Sequence, residues 1–126
     1  MANPEILKYH ESHSWLNVEH ADVCSVGVTR HAQEQLGDIV FVPLPVVGAT
    51  VKQGEPCMAI ESTKTLADVH APASGVVTEV NAVLADTPEL VNNDPYSTLL
   101  FRMKLGDPAE LELLLGVTDY RKLADI

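Results

Sequence analysis

Basic residues are scarce in this chain: 8 lysines and arginines stand against 18 aspartates and glutamates, a formal charge of −10 over 126 residues. So acidic a surface repels nucleic acid phosphates and anionic lipid heads, which argues against both as partners. Cysteine is nearly absent as well. Cys24 and Cys57 have neither the paired spacing of a zinc site nor the density of a disulfide scaffold, and they read as small buried hydrophobes. No apolar run approaches the roughly 18 to 20 residues that span a bilayer. Met1-Ala2-Asn3-Pro4-Glu5 offers neither the basic start nor the apolar stretch of a secretory signal, so a cytoplasmic protein is expected. There is no nucleophile elbow, phosphate-cradling glycine loop or spaced metal cluster, and a chain without a catalytic site of its own is expected. His10 and His13 stand close together, but no carboxylate or cysteine spacing completes a metal site around them. Such a charge does suit brief docking on basic patches of larger proteins, where complementarity speeds encounter more than it deepens affinity.

What the chain does contain is enough apolar material, 46% of its residues, for one packed core, and residues 1–126 are expected to form a single domain. Residues 15–18 and 22–29 alternate at period two, with Cys24, Val26 and Val28 on one face. Trp15 reads as core packing or a strand-end anchor. Thr29 can cap a short helix over Arg30–Leu36, which Gly37 would close. Short β-rich pieces recur at 38–42, at Val51, and at 57–61, 66–70 and 76–80, with glycine and proline between them. Residues 84–95 read as a polar loop and 97–105 as one more strand. Asp107-Pro108-Ala109-Glu110 offers a capping box for a helix that Gly116 would end, and a last helix is expected near 118–123. Together these predict a mainly β fold, a flattened hybrid of barrel and sandwich with short α-helices, two of them C-terminal.

Residues 57–70 form a hairpin whose turn falls near Ser62-Thr63-Lys64. A lysine at a β-turn is ordinarily a solvated surface residue. Its flanks here say more. Glu61-Ser62-Thr63-Lys64-Thr65, then Ala67-Asp68-Val69, then residues 71–81 from Ala71-Pro72-Ala73 through Glu79-Val80-Asn81 resemble the lipoyl hairpin of glycine cleavage H-proteins, written E-S-V-K-A with S-D, A-P, S-G and E-V-N following. The likeness extends upstream through Val26-Gly27-Val28-Thr29 and Leu36-Gly37-Asp38, and downstream through Pro88-Glu89-Leu90-Val91-Asn92 and Asp94-Pro95-Tyr96. It runs from about Tyr9 to Leu115.

The resemblance implies lipoic acid joined by an amide to Lys64, flanked by Glu61, Ser62, Thr63, Thr65 and Asp68, with His31 on the short helix that neighbours the arm in this family. It implies a carrier on whose lipoyl arm an aminomethyl group passes from glycine decarboxylase to aminomethyltransferase, dihydrolipoyl dehydrogenase then reoxidising the arm. Lipoate-attaching enzymes would be further partners. The hard chemistry of such a system belongs to the cofactor and the partner enzymes.

Several positions depart from the family pattern. H-E-W stands here as His13-Ser14-Trp15, T-D as Thr29-Arg30 and S-V-K-A as Ser62-Thr63-Lys64-Thr65, while Ser97-Thr98-Leu99 replaces the usual glycines and tryptophan. Carboxylates would steady a cationic aminomethyl arm, and two of these changes remove one. A second destination for the arm therefore stays open: an H-like lipoate-binding protein of another pathway, such as sulfur oxidation with heterodisulfide-reductase-like proteins. Biotin carriers use a related hairpin but set methionines beside the lysine, where this chain has Thr63 and Thr65. An interaction domain that is never modified is the remaining alternative.

Overall fold

The computed structural model describes residues 3–124. Among these residues, period-two alternation and tight turns give nine strands, all paired antiparallel, in two sheets. The larger sheet contains β1 (Lys8–Tyr9), β2 (Ser14–His20), β3 (Val23–Val28), β5 (Thr50–Val51), β8 (Gly75–Val80) and β9 (Phe101–Leu105), in the order β1-β2-β3-β9-β8-β5. The smaller contains β4 (Ile39–Phe41), β6 (Pro56–Ser62) and β7 (Leu66–His70), in the order β4-β6-β7. This is the mainly β architecture expected, with both sheets open rather than closed into a barrel.

The main core lies between the sheets. Leu16, Val26, Val77, Phe101 and Met103 come from the larger sheet, Ile60 and Val69 from the smaller, and all are buried. Each such side chain contributes roughly 1.5–3 kcal/mol relative to leaving it in water. A smaller cluster of Leu7, Tyr9, Trp15, Tyr120 and Ala124 packs beneath the C-terminal helix, α3 (Val117–Ala124). Trp15 anchors it, donating from Nε1 to the Pro95 carbonyl at 3.1 Å. Its registered neighbour is Gly27, where any Cβ would collide with the indole.

Helix α1 (Arg30–Leu36) begins as the sequence predicts: Thr29 Oγ1 accepts from the Ala32 amide at 3.2 Å, and Gly37 ends the helix at φ 77°. Three expectations are corrected. The strand predicted over 97–105 is confined to Phe101–Leu105, because the Ser97 amide turns to Asp94 and the Thr98 hydroxyl donates to Leu90 O. Residues 84–95 are not a plain loop: a 3₁₀ turn covers Ala82–Ala85 and a short helix, α2, covers Leu90–Asn93. The capping box at Asp107 forms only in half. Asp107 caps the Ala109 amide, but Glu110 instead accepts from the Ser74 amide (2.7 Å) and hydroxyl (2.9 Å). The segment that follows is a 3₁₀ helix, Pro108–Leu113, and Gly116 stands just ahead of α3 rather than closing the earlier helix.

Candidate functional site

Strands β6 and β7 pair from Pro56 opposite His70 up to Glu61 opposite Leu66, and the turn beyond them carries Lys64. Ser62 builds that turn. Its amide donates to the Thr65 carbonyl at 2.8 Å. Its hydroxyl donates to the same carbonyl at 3.2 Å while accepting from the amides of Lys64 (3.2 Å) and Thr65 (3.1 Å). Competing for backbone partners in this way is what short hydroxyl side chains do well in turns. The tip is tied to the rest of the molecule by the Thr63 amide, which donates to Asp38 O at 2.9 Å, and by the pairing of Ser62 with Ile39 of β4. Thr63, Lys64 and Thr65 are exposed, whereas Ser62 is buried.

The Lys64 stem lies over Gly37. A Cβ on that glycine would stand 2.9 Å from Lys64 Cε, and the positive φ excludes a side chain there for a second reason. Among the described residues the Lys64 ammonium makes no ion pair.

Beside the turn a cleft of about 250 Å³ opens between α1 and β7. Val28, Ala32, Leu36, Ile60, Ala67 and Val69 give it an apolar lining; Ser12, His13, Ser14, Gln35, Thr65 and Asp68 supply polar groups. Of the residues singled out from sequence, Thr65 and Asp68 therefore reach the cleft. Glu61 is exposed one step before the turn, and His31 sits half-buried on α1 with its ring 4.3 Å from that of His13. It is His13 that lines the cleft.

His13 is held from several sides. Its backbone is left-handed at φ 72°, a conformation costing a non-glycine residue about 1–2 kcal/mol. Its amide donates to His10 O and its carbonyl accepts from the Thr29 amide, both at 3.0 Å. Its Nδ1 meets the Tyr120 hydroxyl at 2.8 Å, and that hydroxyl meets Thr29 Oγ1 at 2.7 Å. Burial, and then the neighbouring His31, push the His13 pKa below its ordinary value. Burial pushes Tyr120 up to about 12.

Of the two lost acids, only one bears on the cleft. Ser14 lines it, buried, with its hydroxyl donating to His70 O at 3.0 Å. Arg30 turns away and donates to Gln33 Oε1 (2.7 Å) and Asn92 O (3.2 Å). Cys24 is buried as expected, whereas Cys57 is only half-buried and donates to Val69 O; burial raises both thiols to about 11. His10 bonds to Ser12, and the described residues include no cluster of side chains suited to a metal ion.

The family described as Glycine cleavage H-protein matches residues 7–125. The chain belongs to this family. It is 50% identical over 123 residues to the glycine cleavage system H protein of Escherichia coli O7:K1, covering 97% of this chain and 95% of that one. It is 47% identical over 125 residues to the corresponding protein of Nitrosospira multiformis, covering 99% and 97%. The crystal structure of a glycine cleavage system H protein from Mycobacterium marinum superposes with a TM-score of 0.84 at 37% identity, over 98% of this chain and 100% of that one. Members of this family carry lipoate covalently on a lysine. The lipoyl-carrier class implied by the hairpin stands on this membership, and the sulfur-oxidation, biotin-carrier and unmodified-domain alternatives are not favoured.

Sequence reasoning read Gly37 as a helix stop without giving it a part in the site, passed over Tyr120 and Gln35 as site residues, and weighed His13 as a metal ligand and within His13-Ser14-Trp15. Gly37 carried a signal, since a helix-ending glycine beside a functional turn is readable locally. Tyr120 carried none, lying 107 positions from His13.

Proposed function

We propose that residues 1–126 form one lipoyl-carrier domain of a glycine cleavage system and that Lys64 is the residue lipoate is joined to. The observation that carries this reading is the turn itself. Ser62 satisfies the backbone of the tip, so Lys64 stands outside the packed sheets with no ion pair among the described residues. An attaching enzyme needs an ε-amine that can lose its proton and approach an activated carboxyl group, and an exposed, unpaired lysine meets that need. Amide formation removes the ammonium charge.

The residues around the turn fit the group. A dithiolane on a hydrocarbon chain is mostly apolar with a polar end, and the cleft beside Lys64 has an apolar lining with polar groups around it. Leu36, Ile60 and Val69 would cover the chain, while Ser12, Gln35 and Asp68 would face its polar end. The bound group supplies the thiol chemistry by which an aminomethyl unit passes from glycine decarboxylase to aminomethyltransferase, before dihydrolipoyl dehydrogenase restores the disulfide. The chain's own part is to present, orient and shelter, and it brings no catalytic site. Asp68 is the carboxylate residue of the cleft lining among the described residues, and its charge would favour a cationic load. Among the described residues no helix is long and apolar enough to cross a membrane, in keeping with a carrier that works in the cytoplasm among enzymes.

The test is reconstitution. Lipoylated protein mixed with glycine decarboxylase, aminomethyltransferase, dihydrolipoyl dehydrogenase, tetrahydrofolate, glycine and NAD⁺ should support glycine-dependent NADH formation. Normal reduction and reoxidation of the arm with no glycine-dependent turnover would assign the carrier to another pathway.

A further inference from the structure

Helix α3 contributes nothing to the Lys64 turn, yet it reaches the wall of the cleft through one hydroxyl. The order of the bonds there has a direction. The Ala32 amide donates to Thr29 Oγ1, so the Thr29 hydroxyl has its own proton to give to Tyr120 Oη. In that order Tyr120, accepting from Thr29, keeps its own proton for His13 Nδ1, 2.8 Å away. Running the chain backwards would require a proton on Nδ1 donating to Tyr120 and Tyr120 donating to Thr29. The Thr29 proton would then be left with no acceptor at a fully buried residue, and if Thr29 and Nδ1 both donated to Tyr120 the buried Tyr120 proton would be left without one; either is costly.

We infer that Tyr120 is a positioning residue that fixes His13 as the neutral tautomer with its proton on Nε2, so that C-terminal helix α3 keeps this wall of the arm cleft uncharged. The titratable groups against His13 are His31 on α1 and Tyr120 on α3, and Asp68 on β7 is a further titratable residue of the cleft lining. Burial and His31 push the His13 pKa in the same direction as the Tyr120 bond. The consequence rests on the carrier reading: an amine-bearing arm is repelled by an imidazolium and tolerated by a neutral ring.

The unmodified full-length protein suffices to test the assignment, so the outcome does not depend on whether Lys64 carries lipoate. Long-range ¹H–¹⁵N NMR through the imidazole should report the Nε2–H tautomer for His13. Tyr120→Phe keeps the ring that stacks on Tyr9 at 4.4 Å and removes only the donor. It should raise the His13 titration midpoint by about 0.7 pH unit, the size of one ordinary hydrogen bond. An Nδ1–H tautomer in the unaltered protein, or an unmoved midpoint in a folded Tyr120→Phe protein, overturns the assignment. If the variant does not fold, the tautomer of the unaltered protein decides alone. In the lipoylated, aminomethyl-loaded protein, Tyr120→Phe should also shift the acid limb of arm retention to higher pH. An unshifted limb beside a shifted His13 midpoint would reject the link from ring charge to arm and leave the tautomer assignment standing.

Discussion

Lys52 and Lys64 occupy turns at opposite ends of strand β6, and the balance of bracing differs between the two. The Lys52 turn closes on one bond of its own, from the Glu55 amide to Lys52 O at 3.0 Å, and is otherwise held from outside: the Gly54 amide donates to Ala71 O, the Gln53 amide to Ser74 Oγ, and Gln53 Nε2 to Pro72 O and Glu110 O. The Lys64 turn is organised from inside by Ser62, and its outside ties run to one segment, the Thr63 amide to Asp38 O and Ser62 opposite Ile39 of β4. A turn braced by its neighbours is fenced in by them. One whose amides are satisfied by its own serine can project, with its lysine stem over the bare Gly37, and that separates a carrier position from an ordinary surface cation.

The largest expected effect breaks the comparison outright. Lys64→Arg should abolish glycine-dependent turnover in the reconstituted system, while Lys52→Arg should leave it near the unaltered rate; equal losses would mean that the two turns do not differ as described.

Ser62→Ala removes the hydroxyl that organises the tip, one hydrogen bond given and two received. It should cost about 1–2 kcal/mol in denaturant unfolding and slow lipoate attachment, since the turn loses its shape along with its stability. A variant as stable as the parent, with undiminished attachment, would show that the hairpin strands alone set the turn.

The sheltered end of the molecule should respond to pH where the tip does not. Burial raises Tyr9 well above the ordinary tyrosine value and Tyr120 to about 12. Their contribution to stability is present in full below about pH 10 and is lost as pH rises through the folded-state values. His13 is shifted down, so its contribution is present above about pH 6.5 and is lost as pH falls through its folded-state value. Melting temperature followed across both limbs should fall at each extreme, and Tyr120→Phe should flatten the alkaline one.

The smallest effect concerns Lys64 itself. As an exposed turn residue it should tolerate Lys64→Ala within about 0.5 kcal/mol by denaturant unfolding, so that function and stability separate at this position.

Features decided by neighbours in sequence were legible in it. The β6–β7 hairpin follows from alternation and its turn residues, and the Thr29 cap and the Gly37 stop of α1 lie within a few positions of what they act on. Features decided across the fold were not. Glu110 looks like half of a capping box until Ser74 arrives from 36 positions away and takes both carboxylate oxygens. The stretch before Phe101 reads as strand, but Leu90 O claims the Thr98 hydroxyl and bends it off the sheet. At the site, the sequence marked the lysine and its flanks, whereas the cleft is assembled from α1, β7 and the His13 segment only on folding. The loss of two acids looked like one change; the structure divides it between a buried cleft residue, Ser14, and an outward-turned Arg30.

The most direct measurement is peptide mass spectrometry on protein expressed in a lipoylating host. The account predicts the lipoyl amide on the peptide containing Lys64, none on that containing Lys52, and none anywhere in Lys64→Arg. A lipoyl mass on Lys52, or one retained by Lys64→Arg, would contradict it.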